Sequence, residues 1–239
     1  MKKGKVNSSL FIVFEGLDGS GKSTQTKLLA KELRKAGFSA AKIDFPQYGK
    51  KSAGMIEEYL NGKYGSSRQV GSYRASVFYA CDRYDASFKI RKFLGQGKIV
   101  IADRYVSSNI GHQGGKIRDK KKRLEYFNWL YNLEYDLFGI PKPDIIFILK
   151  NTPELSYKLS PRISDKIKAR KRLGYLGNRK RDIHERDLKH LRETMESYLL
   201  AARIFPREYN VIECVKNKKM LNPEIIHKII WTKVSKRLR

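Results

Sequence analysis

Five short apolar runs punctuate the chain, and amphipathic segments separate them. The runs lie within LFIVFEG (10–16), SAAKIDFP (39–46), GKIVIADR (97–104), PDIIFIL (143–149) and YNVIEC (209–214). Each is short and bounded by glycine, proline or polar residues, which suits a buried strand. Between the first two, residues 22–36 carry Leu28, Leu29 and Leu33 at helical spacing, and Gly37 closes that helix. Further helices are expected around 55–60 and from about 71 to 94. The stretch LEYFNWLYNLEYDLFG (124–139) is expected as one helix, with Trp129, Leu130, Leu133 and Leu137 on one side. Leu188, Leu191, Met195, Leu199 and Ala202 mark a long amphipathic helix, and NPEIIHKIIWTKV a last one. Strands alternating with helices predict an α/β fold: a five-stranded parallel sheet in three α/β/α layers, covered on both faces. Ligands of such folds gather at the carboxyl ends of the strands. No linker or shift in composition divides residues 1–239, so a single domain is expected.

Charge adds a constraint on partners. The 239 residues hold 51 Lys and Arg against 24 Asp and Glu, a formal net charge of +27. Anionic partners follow, which fits a nucleotide enzyme, a nucleic-acid binder or merely a lysine-rich host proteome. The run KIRDKKKR (116–123) reads as a solvated helix entry. Basic runs that bind single strands carry interleaved aromatics, and here only Tyr175 qualifies, so nucleic acid is not an expected partner. No stretch approaches eighteen apolar residues, and MKKGKVNSS is followed by too few for a secretory segment, so a soluble cytoplasmic protein is expected. Cys81, Cys214 and four scattered histidines have neither disulfide nor zinc spacing, and the cysteines read as ordinary packing residues.

Chemistry enters with GLDGSGKS, residues 16–23, which satisfies GxxxxGK(S/T) between a predicted strand and a predicted helix. Gly16, Gly19 and Gly21 let backbone N–H groups face phosphates, and Ser20 and Thr24 complete the ATP-binding stretch. Lys22 reaches the terminal phosphates, and Ser23 can ligate Mg²⁺. Two acids, Glu15 and Asp18, stand in or beside this loop, where repulsion of an anion counts against them. The loop alone does not select among ATPases, switches and kinases.

Three further clusters, DFPQYGKKSAG, FYACDRYD and DRYVSSNIGHQG, together with WLYNLEYDLFGIPKPDIIFIL, TPELSYKL and RDIHERDLKHL, resemble the thymidylate kinase family. The resemblance runs from about residue 10 to 214. It implies a P-loop nucleoside monophosphate kinase fold with a basic lid, and Mg²⁺-dependent transfer of the ATP γ-phosphate to dTMP, giving dTDP. It also implies a homodimer through helices away from the site. On this resemblance Arg104 grips the acceptor phosphate and Asp103 stands near the metal. Tyr79 stacks on thymine, Arg83 donates to a base oxygen, and Asn109 meets the ring edge. Phe45 walls the pocket, Tyr48 touches the acceptor phosphate, and His112 lies beside the deoxyribose. Asp18 accepts from the 3′-hydroxyl and sits near the metal, while Glu15 is structural or supports that site. Some relatives carry a catalytic arginine immediately after this aspartate, where the chain has Gly19. The cation is then sought in the lid, about 162–182, since residues 162–181 hold nine Lys or Arg against one acid. Arg179 is favoured, Arg170 and Arg172 are alternates, and Asp182 and Glu185 resemble the lid's end.

Overall fold

The computed structural model describes residues 9–159 and 188–238. In chain order the main elements are β1 (Phe11–Glu15), α1 (Lys22–Lys35), β2 (Ala40–Asp44), α2 (Gly54–Asn61), α3 (Ser67–Val70), α4 (Ser72–Gly95), β3 (Ile99–Asp103) and α5 (Val106–His112). They continue with α6 (Lys120–Tyr131), β4 (Ile145–Lys150), α7 (Pro153–Leu159), α8 (Leu188–Ile204), β5 (Tyr209–Glu213), a small hairpin β6–β7 (Val215–Lys216, Lys219–Met220) and α9 (Pro223–Ser235). The five long strands form one sheet in the order β2-β3-β1-β4-β5, every neighbouring pair parallel.

The central strand β1 is buried along its whole length, and its side chains divide between two cores. Ile12 and Phe14 point to one face, where they meet Leu29, Ala30 and Leu33 of α1 and Ile226, Ile230 and Val234 of α9. Phe11 and Val13 point to the other, against Ala86 and Ile90 of α4, Val106 and Ile110 of α5, Phe127 and Leu130 of α6, and Tyr198 and Ala201 of α8. Each large apolar side chain so buried contributes roughly 1.5–3 kcal/mol, which explains why the apolar runs hold the sheet. Gly37 ends α1 as expected: at φ 87° it lets Phe38 N–H reach back to Leu33 O at 2.9 Å. A satellite cluster of Ala53, Ile56, Tyr59, Leu60, Val70 and Ala75 carries α2 and α3 beside α4, and Tyr48, Phe78 and Tyr79 pack on it.

Two local expectations are corrected, a third in part, and one element is added. The helix expected over 124–139 is α-helical only to Tyr131, after which Asn132–Leu137 form a π-helix. The wider turn rotates the face, so Glu134 is fully buried and Leu137 is 71% exposed, opposite to the apolar spacing. Cys81 is exposed on α4, whereas Cys214 is buried as a packing residue. The β6–β7 hairpin is an addition, turned by Asn217 and Lys218 at φ 50° and 59° without the glycine that advertises such turns. The basic entry to α6 is solvated only in its middle: Asp119 caps it by accepting from Lys122 N at 2.8 Å and residues 118–122 are exposed, whereas Arg123 is buried and Lys116 is partly so.

Candidate active site

The carboxyl ends of β1 and β3 adjoin, since Phe14 pairs in register with Asp103, and the polar motifs that follow each strand meet there. The β1 motif is the 16–23 loop. Gly16 sits at φ 134°, and a Cβ on it would come within 2.6 Å of Leu149 O, so glycine lets the loop cross the end of β4. No side chain caps α1 at Gly21, which leaves its first-turn N–H groups to an anion. Lys22 is buried, and its Nζ donates to Gly16 O at 2.9 Å and Leu17 O at 2.8 Å, with Asp18 Oδ1 at 3.8 Å. Its ammonium is thus held inside the curve of the loop. Ser20 Oγ is buried with no partner among the described residues, a donor left for a ligand or for water. From above, Ser156 of α7 donates to Asp18 O, which fixes the loop against the 153–159 helix.

Glu15 is the hub beneath this loop. Fully buried, it accepts from Tyr105 N at 2.8 Å and Ser107 Oγ at 3.0 Å through Oε1, and from Ser108 Oγ at 2.7 Å and Tyr198 OH at 2.9 Å through Oε2. Burial raises its carboxyl above the usual range, against the Arg104 cation and these hydrogen bonds, which lower it. One carboxylate therefore ties β1 to the start of α5 and to α8.

Arg104, the residue after β3, has φ 72°, a conformation rare for a non-glycine residue, and its N–H bonds Phe14 O at 2.9 Å. That backbone turn aims the guanidinium across the loop, where Nη2 donates to Asp18 Oδ1 at 2.6 Å and Nη1 meets His112 Nε2 at 2.9 Å. Burial would raise the Asp18 carboxyl, but Arg104 and Lys22 outweigh it and hold it well below the carboxylate range. Burial, then Arg104 and His190, push His112 well below an ordinary histidine, so at neutral pH its ring accepts the Arg104 proton. Asp103 is buried at the end of β3.

On the acceptor side, Tyr79 and Arg83 stand one helical turn apart on α4, as read. Tyr79 is half-buried against the satellite cluster, its ring perpendicular to that of Tyr59 at 6.3 Å. Arg83 departs from the expectation of an open base contact. It is 1% exposed, and its Nε and Nη2 form a forked pair with Glu134 at 2.6 and 2.7 Å, leaving Nη1 on Tyr105 O at 3.3 Å. Phe45 likewise lies in the core, 5.5 Å from the Tyr105 ring, rather than lining an open wall. Tyr48 also packs on the satellite cluster. Asn109 is buried on α5 with Nδ2 on Ser76 O at 3.3 Å.

Sequence reasoning missed a latch beneath this pocket. Asp82, 1% exposed, accepts from Gln47 N at 2.9 Å, Gln47 Nε2 at 3.2 Å and Ser52 Oγ at 2.6 Å, which fastens the loop after β2 to α4. The only signal was a carboxylate next to Arg83 on a helix face that had to be buried. Arg170, Arg172, Arg179, Asp182 and Glu185 lie outside the described residues. Among the described residues no cluster of three or more His, Cys, Asp or Glu could hold a metal by itself. Ser23 at the start of α1 and Asp103 at the end of β3 flank the loop and supply hard oxygen donors, which fits a magnesium ion carried in on phosphate.

A parallel sheet with a phosphate loop after its first strand, and an arginine and an aspartate facing each other across that loop, define a P-loop phosphotransferase for small acceptors. The family model described as thymidylate kinase matches residues 14–225. A thymidylate kinase of Mycobacterium tuberculosis is 32% identical over 148 residues, 62% of this chain and 68% of that one. A probable thymidylate kinase of Thermococcus kodakarensis is 30% identical over 223 residues, 91% and 95% of the two chains. The solved thymidylate kinase of Candida albicans superposes with a TM-score of 0.69 over 97% of this chain and 94% of that one, at 22% identity, a likeness of fold. The chain belongs to the thymidylate kinase family. Members of that family phosphorylate dTMP to dTDP with ATP, and this chain is such a kinase.

Proposed function

We propose that the residues around the Asp18–Arg104 pair carry this transfer as follows. ATP lies with its phosphates over the 16–23 loop, where the α1 N–H groups and Lys22 bind them. Ser23 and Asp103 would hold a magnesium ion on those phosphates, which would supply charge neutralisation there. The guanidinium of Arg104 has five donors, and Asp18 and His112 engage two of its nitrogens, so it can take the acceptor phosphate while staying aimed. Asp18, an ionised acceptor at the same point, receives the 3′-hydroxyl of the sugar. Tyr79 and Asn109 recognise the base, with Tyr48 and Phe45 on the flank and Arg83 contributing only its remaining Nη1. His112 limits space at the sugar. The acceptor phosphate is already an anion, so the work is positioning and charge stabilisation, and no strong general base is required. Arg179, with Arg170 and Arg172 as alternates, supplies the cation that Gly19 does not, and Asp182 and Glu185 belong to the same lid.

The observation that supports this reading is the 2.6 Å Asp18–Arg104 contact beside the nucleotide loop, an acceptor and a donor suited to a sugar hydroxyl and a phosphate. The whole chain, 1–239, acts as one domain. A homodimer forms through α4, whose exposed Tyr73, Val77, Tyr84 and Phe88 recur along one face. No helix of the described residues is long and apolar enough to cross a membrane, which agrees with work in the cytoplasm. The test is ADP release by the purified protein with ATP, Mg²⁺ and a panel of nucleosides and monophosphates. dTMP is expected to be turned over fastest, and faster turnover of dCMP, AMP or thymidine overturns the assignment.

A further inference from the structure

A cleft of about 360 Å³ opens between the start of α4 and the turn after α5, lined by Arg68, Gly71, Ser72, Lys116, Arg118 and Glu193. Three cations there face one carboxylate, and Glu193 also acts on Arg123. Lys116 is largely buried, and the partners of its Nζ are neutral: Tyr59 OH at 2.8 Å, Ser67 O at 3.1 Å and the face of the Tyr59 ring at 5.5 Å. Burial pulls its ammonium down to about 7, and among the described residues no carboxylate offsets that cost. Arg83, more deeply enclosed, has Glu134 for the purpose. Lys116 is therefore a largely enclosed cation on the cleft wall, with Glu193 the one carboxylate among the six lining residues and none hydrogen-bonded to its Nζ among the described residues. Beside it begins α4, 24 residues long, and no side chain caps its N-terminus at Gly71, so the positive end of that helix adds to the same field.

We propose that this cleft is a second anion site, separate from the nucleotide loop, which takes the phosphate group of a small phosphorylated ligand. Arg68 and Arg118 at the rim draw the anion in, and Lys116 with the α4 N–H groups binds it below. The anion supplies the charge that burial denies Lys116, so binding is accompanied by proton uptake just above neutral pH. The wall is joined to the acceptor side by a chain of hydrogen bonds: Ser72 Oγ to Gln113 O at 2.7 Å, Gln113 N to Asn109 O at 2.9 Å, and Asn109 Nδ2 to Ser76 O at 3.3 Å. Occupancy of the cleft thus bears on Asn109.

The test uses the full chain with both substrate sites filled by a saturating non-hydrolysable MgATP analogue and dTMP, whose own binding is measured first. Orthophosphate, pyrophosphate and dTTP are then titrated by calorimetry at constant free Mg²⁺. At least one is expected to bind with one-to-one stoichiometry, at least tenfold more weakly in the double variant Arg68→Gln/Arg118→Gln, whose two positions are exposed and tolerate substitution. Proton uptake between pH 7 and 8 is expected in the native chain and lost in Lys116→Gln. Binding by orthophosphate or pyrophosphate identifies a free phosphoanion, and binding by dTTP alone identifies a nucleotide tail. Absence of binding by all three, or equal affinity in the double variant, overturns the proposal whether or not dTMP proves to be the acceptor.

Discussion

Asp18 Oδ1 accepts a hydrogen bond from Arg104 Nη2 at 2.6 Å, so the acid that stands out in the phosphate loop faces the cation that follows β3. Its apparent misplacement among phosphate ligands is resolved by that cation, with Lys22 Nζ another 3.8 Å away. Asp18→Asn keeps the shape and removes the charge. It is expected to lower kcat/KM for dTMP by roughly ten- to a hundredfold, the ~1.5–3 kcal/mol of a hydrogen bond to a charged group. Steady-state kinetics with 3′-deoxy-dTMP supply the check. The native enzyme should lose activity on the analogue, the variant should not discriminate, and equal discrimination by both would remove Asp18 from the sugar.

Glu15 is the second acid of the motif, and its role is structural. Four donors from β3's following loop, α5 and α8 converge on it inside the core. Glu15→Ala strands them, and a loss of about 3–5 kcal/mol in unfolding free energy is expected by denaturant titration. A loss below about 1 kcal/mol would show that water replaces the carboxylate at no cost.

How much of this was legible follows the range of the forces involved. Strands and their order along the chain were readable because Ile12 and Phe14 on one face and Phe11 and Val13 on the other belong to one unbroken apolar run. The 16–23 loop was readable because its glycines and Lys22 act within a few residues of one another. Glu134 was not. Its burial depends on Arg83, 51 residues away, and on a π-turn that no periodicity announces. The Gln47–Asp82 latch was hidden for the same reason, since its partners stand 35 residues apart and meet only once the fold joins them. Motif position identified Arg104, but its contact with Asp18 across 86 residues required the sheet register that pairs Phe14 with Asp103.

The Arg83–Glu134 pair sets a third expectation. Both side chains are almost wholly enclosed, so removing one partner leaves an uncompensated buried charge. Glu134→Ala should cost about 3–5 kcal/mol, while Arg83→Met/Glu134→Leu should recover most of it. If Arg83 Nη1 serves the base, the double variant regains stability but keeps a raised KM for dTMP at unchanged KM for ATP. Restoration of both by the apolar pair would make Arg83 a structural residue alone.

The surroundings of Gly19 explain the glycine. The backbone has φ 77°, and a Cβ would lie 2.7 Å from Leu159 Cβ in α7. Gly19→Ala then meets a backbone cost of about 1–2 kcal/mol in addition to the clash. Reduced kcat/KM for ATP is expected. Leu159→Gly in that background, which removes the opposing Cβ, should restore only the part due to the clash, and full restoration would assign the whole defect to packing.

His112 gives the fifth expectation its pH window. The folded chain holds this ring neutral through burial and the Arg104 cation, joined by His190 and Lys22, with Asp18 alone opposing. Its folded pKa lies below the unfolded value near 6.5, so as pH falls through 6.5 the unfolded chain takes up a proton that the folded chain refuses. Stability must therefore drop with acidification in this range, and the drop must be shallower in His112→Gln. Unfolding free energies at pH 5.5 and 7.5 measure the difference. The neutral ring also keeps Arg104 Nη1 bonded at 2.9 Å, so KM for dTMP should vary little between pH 6.5 and 8 except for the ionisation of the substrate's own phosphate. An imidazole proton resonance that titrates at or above pH 6.5 would mean that the ring is charged near neutrality, and Arg104 would then need a different orienting partner.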